Sequence, residues 1–165
     1  MRILGIDPGL AKLGWGIIDT SEGKETVLVE YGCVSTRSSV PVSDRLGHIY
    51  EQICELIKKF EPQEVAIERL FFSSNTKTAM DVAQAKGSVL VALNHSGIRI
   101  YEYTPLQIKQ ALVGYGRATK DQVQFMVKNF LNMKEVPEPD HAADGLAAAI
   151  CHNSHRKMNE IKEKR

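Results

Sequence analysis

The chain opens on a short alternating apolar run, residues 2–7, which ends on Asp7 and is broken by Pro8-Gly9. Alternation with a period of two predicts a strand. Gly14-Trp15-Gly16-Ile17-Ile18-Asp19 predicts a second strand returning antiparallel, Ser21-Glu22-Gly23-Lys24 a turn, and residues 26–35 a third strand. The spacing then changes. Leu46, Ile49, Tyr50, Ile53, Ile57 and Phe60 form the stripe of an amphipathic helix, which Ser43 can cap and Pro62 ends. Residues 64–70 predict a fourth strand, 71–77 a loop, 78–94 a helix that stops near Gly97, and 98–103 a fifth strand. Two capping boxes follow: Thr104-Pro105-Leu106-Gln107, with proline at the first helical position, and Thr119-Lys120-Asp121-Gln122. The first of these helices ends at Gly114, and the second presents Val123, Met126, Val127 and Phe130 as a buried stripe. Residues 136–140 carry two prolines and predict a loop. An alanine-rich last helix starts at or near Asp140 and runs through Ile150.

An antiparallel meander followed by βαβ units predicts an α/β fold, a mixed five-stranded sheet with helices on its faces. That order fits a ribonuclease-H-like sheet. The 165 residues suit one domain, expected over 1–152, with a charged and flexible tail over 153–165. Apolar content of 43% against 25% charged is that of a globular chain, which excludes a disordered one. No apolar run approaches the ~18 residues of a membrane span, and the N-terminus lacks the plan of a signal peptide. Cys33, Cys54 and Cys151 are odd in number and form no CxxC pair, so neither a zinc nor a redox site is expected, and reduced cytoplasmic thiols are the default. The net charge of +1 argues neither for nor against a nucleic-acid partner.

Candidate chemistry lies in three distant acidic stretches. Asp7 ends the first strand, Glu68 ends the apolar run Val65-Ala66-Ile67, and Asp140-His141-Ala142-Ala143-Asp144 lies on helix. Two strands and a helix can bring Asp7, Glu68, His141 and Asp144 to one point, and such a cluster has the makings of a divalent-metal site that cuts phosphodiesters. His141 and Asp144 share a helix face, as do Asp140 and Asp144. Each position also has an ordinary explanation. Asp7-Pro8-Gly9 makes a turn, Glu68 alternates outward from a strand, and Asp140 after Pro139 is a natural helix cap, the role assigned to it here.

These motifs carry a resemblance. Gly5-Ile6-Asp7-Pro8-Gly9 with Gly14-Trp15-Gly16, Ala66-Ile67-Glu68, Gln84-Ala85-Lys86-Gly87, Ile108-Lys109-Gln110 with Val113-Gly114, and the stretch 140–148 together resemble the RuvC family of Holliday-junction resolvases over nearly the whole chain. The resemblance implies a ribonuclease-H-like fold, a homodimer, and paired symmetric nicking of four-way DNA junctions in recombination and repair. It implies two Mg²⁺ ions per active site, with Mn²⁺ as a substitute. It places Asp7, Glu68 and Asp144 as catalytic, metal-binding carboxylates. The fourth position falls on His141, where some members carry aspartate and others histidine, which should alter metal preference. It also implies a cytoplasmic location and a branch-migration motor, RuvA and RuvB, as partner.

The DNA-facing candidates follow. Phe71 and Phe72 stand beside the second carboxylate, where exposed aromatics stack on or wedge between bases, although phenylalanine also prefers burial. By resemblance Phe71 contacts junction bases. Lys109 and Lys120 lie in the first turns of their helices, where free N–H groups suit phosphate. By resemblance they face the scissile phosphate. Arg69, Lys77 and Arg117 are weaker candidates, His48, His95, His152 and His155 read as structural or surface residues, and Trp15 reads as core. The helix over 78–94 carries Ala79, Ala83, Gly87, Leu90 and Asn94 along one stripe, which could meet its twin at a dimer axis or pack on its own sheet. Two rival readings differ in class. An actin-like or sugar-kinase fold needs two large domains and more chain than this. A junction-binding module without catalysis, or an RNA-processing nuclease of like fold, would be told apart by cleavage of junction DNA, duplex and structured RNA.

Overall fold

The computed structural model describes residues 1–69 and 76–163, the side chains at 76–78 and 157–163 excepted. Three antiparallel strands open it: β1 (Arg2–Asp7), β2 (Lys12–Asp19) and β3 (Val27–Ser35). The long helix α1 (Val42–Phe60) leads into β4 (Glu64–Glu68), and α2 (Thr76–His95) into β5 (Arg99–Tyr103). Three helices close the chain: α3 (Pro105–Val113), α4 (Lys120–Phe130) and α5 (Asp140–Glu163). β4 pairs parallel with both β1 and β5, giving one mixed sheet in the order β3-β2-β1-β4-β5. The sheet is the mixed five-stranded one expected from the sequence.

Alternation along each strand divides the core between two layers. Leu4, Ile6, Val65 and Ile67 face α1 and α2, where they meet Ile49, Ile53, Ala85 and Val89. Ile3 and Ala66 face the other way, onto Leu112, Val127, Leu146 and Ala149 of α3, α4 and α5. Asp7 is four residues on from Ile3, and Glu68 is two on from Ala66. Both therefore project from the α5 side, at the carboxyl ends of adjacent parallel strands. Ligands of α/β sheets bind at that edge.

Glycines let α5 lie directly on β1 and β2. A Cβ on Gly14 would overlap the carbonyl oxygen of His141, and one on Gly5 the carbonyl oxygen of Gly145. On the helix side, a Cβ on Gly145 would come 2.7 Å from Trp15 Cα. Backbone thus touches backbone, and the first turns of α5 are held against the strand that ends in Asp7.

Both predicted capping boxes form, on Thr104 with Gln107 and on Thr119 with Gln122, and Gly114 ends α3 in the left-handed region at φ 86°. Ser43 is not the cap of α1. Pro41 holds that position, its carbonyl accepts from the N–H groups of Asp44 and Arg45, and Ser43 Oγ turns instead to Asp44 Oδ1 at 3.1 Å. Phe130, expected in the buried stripe of α4, is 43% exposed, because Leu131 in the turn beyond takes the inward place. Trp15 is half-buried and packs on Phe60, with ring centroids 6.1 Å apart. The last helix does not stop near Ile150 but continues to Glu163. Asn153, where the charged stretch begins, is buried. It accepts from Thr20 Oγ1 and donates to Thr26 Oγ1, both at 2.9 Å.

Candidate active site

Asp7, His141 and Asp144 each offer a ligand atom within 4.8 Å of the others. Asp7 comes from the end of β1. His141 and Asp144 come from the first turns of α5, one helical step apart on the face that meets the sheet. His141 Nδ1 lies 3.0 Å from Asp7 Oδ2. Glu68 approaches from β4 next door. It lines a cavity of about 310 Å³ with Asp7 and His141, and a second of about 260 Å³ with Asp144, Lys109 and Lys120. All four residues predicted for a metal centre therefore converge, with Glu68 as the hinge between two adjoining hollows.

The electrostatics show what the cluster lacks. Burial, then the negative charges of Asp7 and Asp144, push Glu68 up to about 7, while Lys109 and Lys120 pull against that rise. Asp144 is likewise raised by burial and by Asp7, with Lys120 opposing. His141 is raised above its ordinary value because its bond to Asp7 outweighs the cost of burial. Glu68, crowded until it holds its proton near neutrality, beside a raised Asp144 and an imidazole with one nitrogen on a carboxylate, forms a donor set short of positive charge. Hard oxygen donors with one nitrogen fit a divalent cation, and the convergence of three carboxylates is what two such ions need.

Positive side chains of the protein partly fill that deficit. Lys120 Nζ is 2.7 Å from Asp140 Oδ2 and 3.1 Å from Asp144 Oδ2. Burial works against its charge, but these two partners prevail and raise its pKa. Asp140 is held below the usual carboxylate range, first by its bond to Lys120. Asp140 is the first residue of α5, and its Oδ1 accepts from the adjacent His141 N–H at 3.0 Å. It thus tethers Lys120 in addition to serving the helix start. That pairing had no signal in the sequence beyond Lys120 in a capping box. Lys109 lines the smaller cavity together with Lys120. Lys12 and Arg69 line the larger one; Arg69 was a minor candidate and Lys12 was missed. Phe71, Phe72 and the side chain of Lys77 lie outside the described residues.

Carboxylates at the carboxyl edge of a ribonuclease-H-like sheet, with cations on either flank, define a metal-dependent nuclease of that fold. The model of the family described as crossover junction endodeoxyribonuclease RuvC matches residues 3–152, and the chain belongs to that family. It is 49% identical over 152 residues to the crossover junction endodeoxyribonuclease RuvC of Caldicellulosiruptor saccharolyticus, covering 92% of each chain. To that of Finegoldia magna it is 48% identical, over 98% of this chain and all of the other. Its fold superposes on Thermus thermophilus RuvC, solved in complex with a Holliday-junction substrate. The TM-score is 0.91 at 38% identity, over 96% of both chains.

Proposed function

We infer that the protein is a crossover junction endodeoxyribonuclease that resolves four-way DNA junctions by phosphodiester hydrolysis, in recombination and repair. The observation that carries the reading is the meeting of Asp7, Glu68, His141 and Asp144 at one sheet edge in a chain of this family. These four are its catalytic and metal-holding groups. The metal is Mg²⁺, two ions per site, with Mn²⁺ as a substitute. Such a pair supplies the charge that makes water a nucleophile at neutral pH and stabilises the leaving oxygen.

The remaining work falls to the protein's own groups. Asp7 and Glu68 are fixed by strands and Asp144 by a helix packed backbone to backbone on β1 and β2, so the site is pre-organised. Lys109 and Lys120 bind the scissile phosphate from the α3 and α4 side, and a metal held by Asp144 would compete with Lys120 for that carboxylate. Phe71 contacts and unstacks junction bases.

Two like nicks across a junction call for a two-fold partner, and the protein acts as a homodimer. The outer face of α2 supports this. Met80 is 66% and Val91 49% exposed, and small Ala83 and Gly87 lie between them on the exposed side. A branch-migration motor of the RuvA and RuvB kind delivers the junction. The test is initial cleavage of junction DNA, linear duplex and structured RNA with and without Mg²⁺. Metal-dependent nicking confined to the junction supports the reading, and equal cutting of duplex or RNA overturns it.

A further inference from the structure

Arg69 follows Glu68 directly and continues the ladder, its N–H donating to Tyr103 O at 2.7 Å. Two residues on from Ile67, it projects toward α2, on the face opposite Glu68. Glu102 of β5 pairs in register with Ile67 and shares that face. Arg69 Nε lies 3.5 Å from Glu102 Oε2. The other oxygen of Glu102 is held by the ammonium of Lys86, which reaches in from α2. The Lys86 side chain is only 10% exposed, Glu102 is 30%, and Arg69 is 57%. Arg69 also lines the cavity that holds Asp7, Lys12, Glu68 and His141.

Charge balance gives this triad a use. An Arg69–Glu102 pair alone is neutral and attracts no anion. A second cation behind the carboxylate leaves the triad with one excess positive charge, and its most exposed member is Arg69. Lys86 is too buried to meet DNA, yet an unpaired ammonium there would be costly. Its ion pair with Glu102 makes it tenable and stops Glu102 from cancelling Arg69.

We propose that Arg69, with Lys12, binds a backbone phosphate flanking the scissile one on the Asp7 side of the site. Lys86 is the positioning residue that keeps Arg69 available by holding Glu102. The proposal rests on reading the carboxylate cluster as a nuclease centre. It places the cut strand across the cluster, between Lys109 and Lys120 on one flank and Arg69 and Lys12 on the other.

The test is equilibrium binding of a fixed four-way junction across a salt series. It is done in the Asp7→Asn background, so that the reading of the centre and the flanking contact fail separately. Absence of junction binding would sink the functional assignment, whereas an unchanged salt slope in the variants would sink only this inference. Arg69→Gln should weaken binding roughly tenfold and reduce the slope of log K against log salt by about 1, the loss of one phosphate contact. Lys86→Met should do the same, because Glu102 then captures Arg69. Adding Glu102→Gln to Lys86→Met should restore the slope, a rescue that a purely structural lysine would not show. If Lys86→Met alone fails to fold, the double variant serves, since it removes both members of the buried pair together. Arg69→Gln within it must then lower the slope by about 1. An unchanged slope in Arg69→Gln, a wild-type slope in folded Lys86→Met, or no rescue by Glu102→Gln each overturns the proposal.

Discussion

Helix α5 meets the sheet through two histidine–carboxylate contacts of the same chemistry and opposite fate. At its start His141 faces Asp7 at 3.0 Å, with side chains 34% and 19% exposed. Farther along, His152 faces Glu64 at 2.8 Å, with side chains 1% and 10% exposed. Glu64 and Glu68 stand at the two ends of β4 and project to the same face. Around Glu64 every need is met. Tyr103 OH lies 2.7 Å from His152 Nδ1, Tyr101 OH donates at 3.4 Å, and Arg156 Nε stands 3.3 Å away. Around Glu68 the neighbours are more carboxylates. Burial holds His152 below its ordinary pKa against the pull of Glu64, whereas the bond to Asp7 raises His141. A satisfied pair is part of the scaffold. A crowded anionic cluster that opens on two cavities is what the proposed function requires for a cation and a phosphate.

The largest expected difference between the two ends is in rate. Asp7→Asn should cut nicking on the order of a thousandfold, about 4 kcal/mol of barrier, while junction binding persists. Nicking at a wild-type rate by protein free of host nuclease would dissolve the contrast.

The buried end should respond in stability instead. His152→Ala takes the imidazole from Tyr103 and leaves Glu64 to Tyr101 and Arg156, and should cost about 3 kcal/mol of unfolding free energy in denaturant titration, with nicking per folded molecule unchanged. The pH dependence has a definite sign. The native imidazole is harder to protonate than the unfolded one, so its contribution is full above about 6.5 and falls as pH drops toward the native value. The variant should lose that part of the stability curve, and an identical curve in both proteins would remove His152 from the account.

Gly14→Ala tests what joins the two ends. The new Cβ would overlap the His141 carbonyl, so α5 must shift, at about 1–3 kcal/mol of stability. Activity should fall further than stability explains, and activity that merely tracks the folded fraction would show that the close approach does not set the site.

Protons report the cluster more gently. Glu68 is pushed up to about 7, and as a metal ligand it would have to lose that proton. Below that pH, Mg²⁺ affinity should fall by about tenfold per pH unit for each proton displaced. Calorimetry in buffers of differing ionisation enthalpy should detect the released proton, and no release at pH 6.5 would contradict the crowding. The smallest expected effect is in metal choice. Imidazole is accepted more readily by Mn²⁺ than by hard Mg²⁺. His141→Asp should therefore keep activity and lower the Mn²⁺-to-Mg²⁺ rate ratio a few-fold. An unchanged ratio and acid limb would leave the metal to the three carboxylates.

How much of this was legible in the sequence depends on range. The strands, the two capping boxes and the amphipathic face of α1 follow from local pattern, which the chain reads over a few residues. The carboxylates at strand ends also have local cues, though Glu68 and Glu64 look alike there, and only their partners across the sheet separate them. Those partners are distant in sequence, and no spacing encodes them. His152 was read as structural or surface without a partner in view. Lys120 on Asp140 and Asp144, and Lys86 behind Glu102, are equally silent. The end of α1 before Pro62 and the start of α5 at Asp140 were legible, whereas the cap of α1 and the far end of α5 were not, because Pro41 caps through its backbone and Asn153 is buried by long-range bonds.

The glycine-seated helix α5 acts as a ruler. His141 and His152 lie about three turns apart, so both face the sheet in a single rotational phase. Inserting one residue between them would turn one end by about 100° and lift it by about 1.5 Å. Either the cluster or the buried pair would then lose register. Length change in this family is therefore expected in the turn at 21–24 and absent from α5 between Asp144 and His152, a constraint written in phase rather than in residue identity.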